Sequence, residues 1–281
     1  MAKIVVVGSL NMDVVAVAPR IPVAGETIIG SKFFTSPGGK GANQAYAAAK
    51  LAGSVAMVGR VGDDEFGRQM RENLASVGCA IDAVKTVPGA SGVALIAVAE
   101  SGENCIVVVP GANHSLLPGD ITFDECSVVL LQLETPIETV IAAARFAKQR
   151  NARVILDPAP APLSGLPREL LESVDILTPN ETEAAILADS LEAQSPRTII
   201  LKLGERGCEL RSGGKSTLIP AIRVNAVDTT AAGDVFNAAL AVALSEGAEL
   251  EAACRFAVKA AAISVTRLGA QSSAPSRDEV S

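Results

Sequence analysis

Short β-branched runs alternate with longer stretches of helical period along most of the chain. Strand-like runs cover residues 4–7, 55–58, 128–132, 154–156, 175–177 and 198–203. Apolar residues at helical spacing cover 41–52, 65–77, 137–150, 181–187, 231–244 and 249–267. Continuous apolar runs such as Ile4–Val7 are typical of strands buried on both faces. The alternation therefore predicts an α/β fold, in which helices cover both faces of a largely parallel sheet.

Two stretches, 14–35 and 91–109, break this rhythm. In both of them apolar and polar residues alternate, and Gly and Pro punctuate the pattern. Such alternation is typical of antiparallel strands with one exposed face. The stretches are separated along the chain but can pair in space. We therefore predict that they form a small antiparallel β-sheet, a flap on an α/β body made of residues 1–13, 36–90 and 110–281.

The composition argues against several classes of protein. Of the 281 residues, 49% are hydrophobic and 20% are charged, which is a globular balance. The 24 basic and 31 acidic side chains give a net charge of −7. A nucleic-acid partner is not expected, because phosphate contacts need clustered Lys and Arg. The one histidine, His114, argues against zinc sites built from several imidazoles.

Cysteine usage and hydropathy indicate the compartment. The five cysteines are dispersed and never fall at CxxC spacing, which is typical of reduced thiols in a cytosolic protein. No run of eighteen apolar residues could span a membrane. We therefore expect a soluble, cytoplasmic protein with no membrane partner.

The segment Val227-Asp-Thr-Thr-Ala-Ala-Gly-Asp234, which a helix follows, has the strongest chemical signal. The small residues Ala231, Ala232 and Gly233 let backbone N–H groups converge at the helix start, where the helix dipole favours an anion. Asp234 would lie beside that anion. Phosphoryl transfer needs this pairing of donors for the phosphoryl group with a carboxylate for the attacking hydroxyl. The alternative is an ordinary acidic residue in a tightly packed first turn.

The segment Pro37-Gly-Gly-Lys-Gly-Ala-Asn-Gln44 is the second candidate. Its three glycines surround Lys40 and run into a helix, so backbone and side-chain groups can approach a small polar ligand closely. A capped turn is the alternative. The segment is not a phosphate-binding P-loop, because Gly41 occupies the position that needs Ser or Thr.

Asn180 and Glu183 form the third candidate, in Thr178-Pro-Asn-Glu-Thr-Glu183. They share a helix face, so both could reach a hydrated Mg²⁺ or a phosphate. The same spacing is also that of a helix capping box.

Weaker signals follow other strands. The stretch 203–207 is a glycine turn that could pass near a nucleotide or could simply close a hairpin. Glu134, Asn11 and Asp13 each follow a predicted strand, where open α/β sheets bind their ligands.

Taken together, these segments resemble the ribokinase-like (PfkB) family of sugar kinases over nearly the whole chain and in the family's order. The matching motifs are Gly8-Ser-Leu-Asn-Met-Asp13, Gly38-Gly-Lys-Gly-Ala-Asn-Gln44, Gly92-Val-Ala-Leu95, Pro110-Gly-Ala-Asn113, Leu131-Gln-Leu-Glu134, Pro158-Ala-Pro160, Thr178 to Glu183 and Asp228 to Asp234. The resemblance implies a Rossmann-like three-layer α/β/α sandwich with a β lid that closes over the sugar, and a homodimer formed through that lid.

The resemblance also implies a role for each matching residue. Asp234 would be the general base, with an anion hole at the backbone of Ala231, Ala232, Gly233 and Asp234. The sugar would contact Asn11, Asp13, Gly39, Lys40, Asn43, Glu134 and Asp234. The nucleotide would contact Asn180, Lys202, Gly204, Glu205, Gly207 and Gly233. Glu183 would organise Mg²⁺ through water. A monovalent cation, usually K⁺, would lie at Asp228, Thr230, Ser264, Arg267, Gly269 and Ser273.

The implied reaction is ATP-dependent phosphorylation of a furanose, D-ribose at O5. Lys202 departs from the family pattern, which more often has Thr or a small polar residue there. Two alternatives stay open at this point. One is a related kinase acting on 2-deoxyribose, 2-keto-3-deoxygluconate, fructose or a nucleoside, because a fold does not fix a substrate. The other is a sugar-binding protein that no longer transfers phosphate, against which the Gly233-Asp234 pair argues.

Overall fold

Thirteen strands form two sheets in the computed structural model, which describes residues 3–52, 54–194 and 196–280. The predicted body segments 1–13, 36–90 and 110–281 also contain positions 1, 2, 53, 195 and 281, which lie outside the described residues. In chain order the strands are β1 (Ile4–Val7), β2 (Asn11–Ala18), β3 (Lys32–Gly38), β4 (Val55–Gly62), β5 (Ala80–Val87), β6 (Gly92–Ala99), β7 (Asn104–Val109), β8 (Val128–Leu131), β9 (Arg153–Leu156), β10 (Ile176–Leu177), β11 (Thr198–Lys202), β12 (Cys208–Ser212) and β13 (Lys215–Ile219).

The helices alternate with the strands of the body, as the sequence pattern predicts. They are α1 (Lys40–Ala52), α2 (Glu65–Ser76), α3 (Ile137–Gln149), α4 (Arg168–Leu171), α5 (Glu181–Ile186), α6 (Ala188–Ala193), α7 (Ala232–Ser245), α8 (Leu250–Ser264) and α9 (Arg277–Val280). Short 3₁₀ turns cover Gly111–Ser115, Pro118–Asp120 and Gly204–Arg206. No helix among the described residues is long and apolar enough to cross a membrane.

The larger sheet has the order β13-β12-β11-β10-β9-β8-β1-β4-β5. Its strands from β11 to β5 are parallel, which confirms the predicted α/β fold. The antiparallel β12 and β13 extend one edge. We did not predict this hairpin or β5, because these strands at the rim of the sheet are rich in polar residues and lack a continuous β-branched run.

Two apolar cores lie on opposite faces of this sheet. Ile4 and Val6 of β1 pack with residues of α1, α2, α7 and α8, whereas Val5 and Val7 pack with residues of α3 and α4. This alternation follows from the two-residue period of a strand. The arrangement confirms the three-layer α/β/α sandwich. Helix α7 is buried on almost all sides from Asp234 to Leu244, so it packs into the core along nearly its whole length.

The smaller sheet has the order β3-β2-β6-β7 and contains residues from both stretches that break the rhythm. The hairpins β2–β3 and β6–β7 are antiparallel, as predicted, whereas the central pair β2–β6 is parallel. The parallel pair arises because β2 continues from β1 and β6 continues from β5, so both strands leave the same edge of the larger sheet. The sheet begins at Asn11, three residues before the predicted flap. That these strands act as a lid stays a prediction.

Candidate active site

Polar side chains from five strands converge at the carboxyl edge of the larger sheet. Asn11 follows β1, Glu134 follows β8, Asp157 follows β9, Asn180 follows β10 and Lys202 ends β11. The amino ends of α1 and α7 approach the same edge, because Asn43 and Gln44 in the first turns of α1 hydrogen bond with Asp234. In parallel sheets this edge is where ligands bind.

The glycine segment before α1 is tightly packed against the β1–β2 connection. A Cβ on Gly41 would lie 2.6 Å from the backbone nitrogen of Ser9, and Gly39 has a φ of +86°. Close backbone approach therefore requires glycine at both positions. The N–H of Lys40 donates to Glu134 Oε2 at 3.0 Å, and the Ser9 hydroxyl donates to the same oxygen. Thus the predicted sugar residues Gly39, Lys40 and Glu134 come together.

Asn11 and Asp13 complete this side of the site. Asn113 holds Asn11 in place: its Nδ2 donates to Asn11 Oδ1 at 2.8 Å, and it also binds the backbone N–H and carbonyl of Leu10. The carboxylate of Asp13 lies against Gly38, where a Cβ would be 2.5 Å from Oδ2. Burial, followed by the charges of Glu134 and Asp234, raises the pKa of Asp13 to about 6. Asn113 belongs to a motif that we noted but to which we assigned no role.

Asp234 lies in the first turn of α7 with only 5% of its surface exposed. Asn43 Nδ2 donates to its Oδ2 at 3.0 Å and Gln44 Nε2 donates to its Oδ1 at 3.1 Å, so the carboxylate is fixed in orientation. Burial raises its pKa to about 6, which the nearby charge of Lys40 opposes and that of Asp157 reinforces.

Lys40 remains a cation in this setting. Burial alone would lower the pKa of its ammonium group, but the surrounding carboxylates outweigh burial and the pKa is raised. These carboxylates are Asp234, Asp157, Glu134 and Glu183. Glu183, the predicted acid of the nucleotide side, is thus near enough to Lys40 to help raise the pKa of its ammonium group.

The loop before α7 contains the residues of the predicted anion hole. Ala231 adopts a left-handed conformation with φ of 58°, which turns the chain sharply into the helix. The N–H of Ala232 donates to the Thr229 carbonyl at 3.2 Å. Those of Gly233 and Asp234 have no acceptor within the part of the chain that the structure describes. Free N–H groups at the amino end of a helix favour an anion, and an anion hole beside Asp234 stays a prediction.

Of the predicted nucleotide residues, Gly233 lies on α7, and the others lie after β10, at the end of β11 and in the turn that follows. Asn180 and Lys202 are neighbours in a parallel bridge. Asn180 and Glu183 form a capping box at α5 with two 2.8 Å hydrogen bonds, so the structural alternative holds at this position. One oxygen of Glu183 is used by this box.

The turn that contains Gly204, Glu205 and Gly207 connects the antiparallel β11 and β12. The hairpin alternative therefore holds here as well. A Cβ on Gly207 would lie 2.1 Å from the Ile219 carbonyl oxygen, and Gly207 has a φ of +96°. Packing thus explains Gly207, and a nucleotide role for the turn stays a prediction.

Lys202 points from β11 to the amino end of α7. Its Nζ donates to Asp157 Oδ1 at 2.8 Å and would lie 3.4 Å from a Cβ on Gly233. Gln44 donates to the other oxygen of Asp157 at 3.1 Å and accepts from Gln132 at 2.6 Å. We missed Asp157, Gln44 and Gln132 as site residues, although each follows a strand or belongs to a matching motif.

The predicted K⁺ ligands fall on two segments that touch. Asp228 accepts from the N–H of Thr230 at 2.9 Å and from that of Gly269 at 2.8 Å. Burial would raise the pKa of Asp228, but these hydrogen bonds outweigh burial and lower the pKa. The guanidinium of Arg267 pairs with Glu279, so only its carbonyl is suited to a cation.

The remaining K⁺ candidates, Ser264 and Ser273, are buried nearby, and their hydroxyls donate to backbone carbonyls. Carboxylate and carbonyl oxygens are the donors that hard cations prefer, so the set fits a monovalent cation. No group of three His, Cys, Asp or Glu within the described residues could hold a metal ion by itself.

This fold and site define a sugar kinase of the ribokinase-like type. The model of the pfkB family of carbohydrate kinases matches residues 1–277, and the chain belongs to that family. It is 44% identical over 291 residues to a ribokinase of Bacillus subtilis, covering 100% of this chain and 98% of the relative. A deoxyribokinase of Salmonella typhimurium is 40% identical, with 98% and 96% covered. The structure of Arabidopsis thaliana ribokinase complexed with ribose and ATP is 36% identical with a TM-score of 0.90, covering 99% of this chain and 97% of that one.

Proposed function

We propose that this enzyme transfers the γ-phosphoryl group of ATP to O5 of D-ribose. The observation that carries the proposal is Asp234, buried at the predicted anion site of α7 and held by Asn43 and Gln44. The relatives named ribokinase support ribose and ATP as the substrates.

The chemistry follows from that geometry. The O5 hydroxyl gives its proton to an Asp234 oxygen as O5 forms its bond to the γ-phosphorus. The bond from that phosphorus to the bridging oxygen breaks, and ADP leaves with the electron pair. The N–H groups of Gly233 and Asp234 stabilise the charge on the equatorial oxygens. Positioning and electrostatics therefore supply the acceleration.

The sugar is held on the other side of the cleft. Asn11, Asp13 and Glu134 offer carboxylate and amide oxygens to hydroxyl donors, and Lys40 offers a cation. Gly39 gives its backbone. Because these groups are fixed by Asn113 and by the Ser9–Glu134 contact, the site is preorganised before the sugar binds.

Two metal ions complete the proposed site. Mg²⁺ usually keeps several waters and takes few protein carboxylates, which fits Glu183 as its contact through water. When bound with ATP it would neutralise phosphate charge. K⁺ would be held by Asp228, by backbone oxygens of Thr230, Arg267 and Gly269, and by Ser264 and Ser273, beside the loop that shapes the anion site. The five free cysteines support a reducing, cytoplasmic compartment.

Coupled ADP release tests the proposal. Purified enzyme with Mg-ATP and K⁺ is assayed against ribose, 2-deoxyribose, fructose, 2-keto-3-deoxygluconate and nucleosides, with Asp234→Asn as the control. We expect ribose to give the highest kcat/KM. The deoxyribokinase relative makes 2-deoxyribose the second candidate. A higher kcat/KM for 2-deoxyribose would replace the substrate and keep the mechanism, whereas sugar binding without turnover would support a binding protein.

We also propose a homodimer formed through the smaller sheet. Strand β7 is exposed along its whole length, and Phe33, Ile106 and Val107 leave more than half of their surface open. A second copy that pairs there would cover this apolar surface. Sedimentation of wild type and Ile106→Glu tests this: a dimer that becomes a monomer supports the proposal, and a monomeric wild type contradicts it.

A further inference from the structure

A buried ion pair lies beside the proposed anion site and is not needed by the chemistry described so far. Asp157 has 3% of its side chain exposed and Lys202 has 14%. Removing two charges from water costs free energy, and the attraction between them often does no more than offset that cost. The pair therefore calls for a functional explanation.

The ammonium of Lys202 lies at the amino end of α7, beside the proposed anion site. It would lie 3.4 Å from a Cβ on Gly233, whose N–H has no acceptor among the described residues. A lysine is a compact cation with three donors and a flexible stem. When Asp157 accepts one of these hydrogens, the other two remain for phosphate oxygens.

Asp157 connects this cation with the proposed base. Its Oδ1 accepts from Lys202 and its Oδ2 accepts from Gln44, whose second amide hydrogen goes to Asp234. Gln44 is in turn fixed by Gln132. One carboxylate thus aligns the ammonium and the amide that contacts the base.

We propose that Asp157 is a positioning residue that holds Lys202 at the amino end of α7, where the lysine binds the γ-phosphoryl group of ATP. This inference rests on the proposed function and deepens it by assigning the γ-phosphoryl contact to a charged side chain. It predicts that the Asp157–Lys202 pair contributes to the recognition of ATP but not to that of ADP.

Binding calorimetry tests the inference with MgADP and with the Mg complex of the β,γ-imido analogue of ATP, both in the presence of ribose. For Lys202→Met we expect the analogue to bind at least tenfold more weakly and ADP to stay within about threefold. Asp157→Asn should lose part of the analogue's affinity, since the lysine is no longer held. Lys202→Met leaves the buried carboxylate of Asp157 unpaired. The double variant Asp157→Asn/Lys202→Met removes both charges, and its affinities for the two nucleotides should match those of Lys202→Met.

The matched control is the pair Lys148–Asp175, with an N–O distance of 2.7 Å, at the opposite edge of the sheet. Asp175→Asn should leave the ratio of the two nucleotide affinities unchanged. If the ratio of the affinities for the ATP analogue and for ADP stays at the wild-type value in the double variant, Lys202 does not contact the γ-phosphoryl group. If this ratio stays at the wild-type value in the single variant Asp157→Asn, Asp157 does not position Lys202. A wild type that turns over no sugar contradicts the proposed function instead, and one that binds neither nucleotide contradicts both.

Discussion

Replacing Asp234 by Asn is expected to abolish turnover and to stabilise the fold. The variant keeps the size of the side chain but removes the group that accepts the O5 proton. General-base catalysis typically contributes about 10²- to 10⁴-fold. We expect kcat to fall at least a hundredfold while the affinity for ribose, measured by calorimetry, changes little.

The gain in stability follows from the buried charge. Folding raises the pKa of Asp234 from 3.8 to about 6. One pKa unit corresponds to about 1.4 kcal/mol, so holding this carboxylate ionised in the folded state costs roughly 3 kcal/mol above pH 6. The amide loses one acceptor for Asn43 or Gln44, which costs about 1 kcal/mol. The net expectation at pH 7.5 is a gain of roughly 1 to 2 kcal/mol in the free energy of unfolding.

Urea denaturation at several pH values tests the sign as well as the size. Because the folded pKa is raised, the penalty in the wild type develops between pH 3.8 and about 6 and is absent below that range. The gain of the variant should therefore disappear at pH 4. Asp228→Asn is the opposite control: the lowered pKa of Asp228 stabilises the fold at neutral pH, so this variant should lose stability at pH 7.5 and not at low pH. A gain that does not depend on pH, or residual activity above a tenth, would refute the reasoning.

Three further predictions use other parts of the site. The kcat/KM of the wild type should fall as the pH drops through about 6, and Asp157→Asn should move this limb to lower pH, since the charge of Asp157 raises the pKa of Asp234; a pH profile with an unmoved limb contradicts this. Gly41→Ala should lower the free energy of unfolding by about 1 to 3 kcal/mol, because its Cβ would meet the backbone of Ser9, whereas Gly119→Ala, with open space, should not. Asn113→Ala should raise the KM for the sugar more than it lowers kcat, because Asn11 loses its support; equal effects on both would argue against that role.

The order of strands and helices in the body could be predicted from the sequence, because buried parallel strands are continuous apolar runs. Strand β1 and helix α7 are examples, and both lie where we predicted them to within one or two residues. The edge strands β12 and β13 could not be predicted in this way. β12 and β13 gain their strand conformation by pairing along the sheet edge, because their own sequences are short and rich in polar residues.

Some of the site residues could likewise be predicted from local sequence, and others could not. Asp234 and Glu134 could be found because each stands at a recognisable helix start or strand end. Asp157 also follows a strand, yet its proposed role depends on contacts with two residues that are distant in the sequence. These are Lys202, 45 positions away, and Gln44, which bridges the carboxylates of Asp157 and Asp234. Such networks depend on tertiary contacts, so single-residue patterns do not reveal them. The capping box at Asn180 and Glu183 could be found from local sequence, because its two partners lie three residues apart.

The charges gathered at the carboxyl edge affect how the substrates enter. Five acidic side chains act around this cleft, from Asp13, Glu134, Asp157, Glu183 and Asp234, against the ammonium groups of Lys40 and Lys202. An uncharged sugar meets no electrostatic barrier there, whereas a bare polyphosphate is repelled. We therefore expect the nucleotide to enter together with its own countercharge, so that the ionic composition of the medium affects the entry of ATP more than that of the sugar.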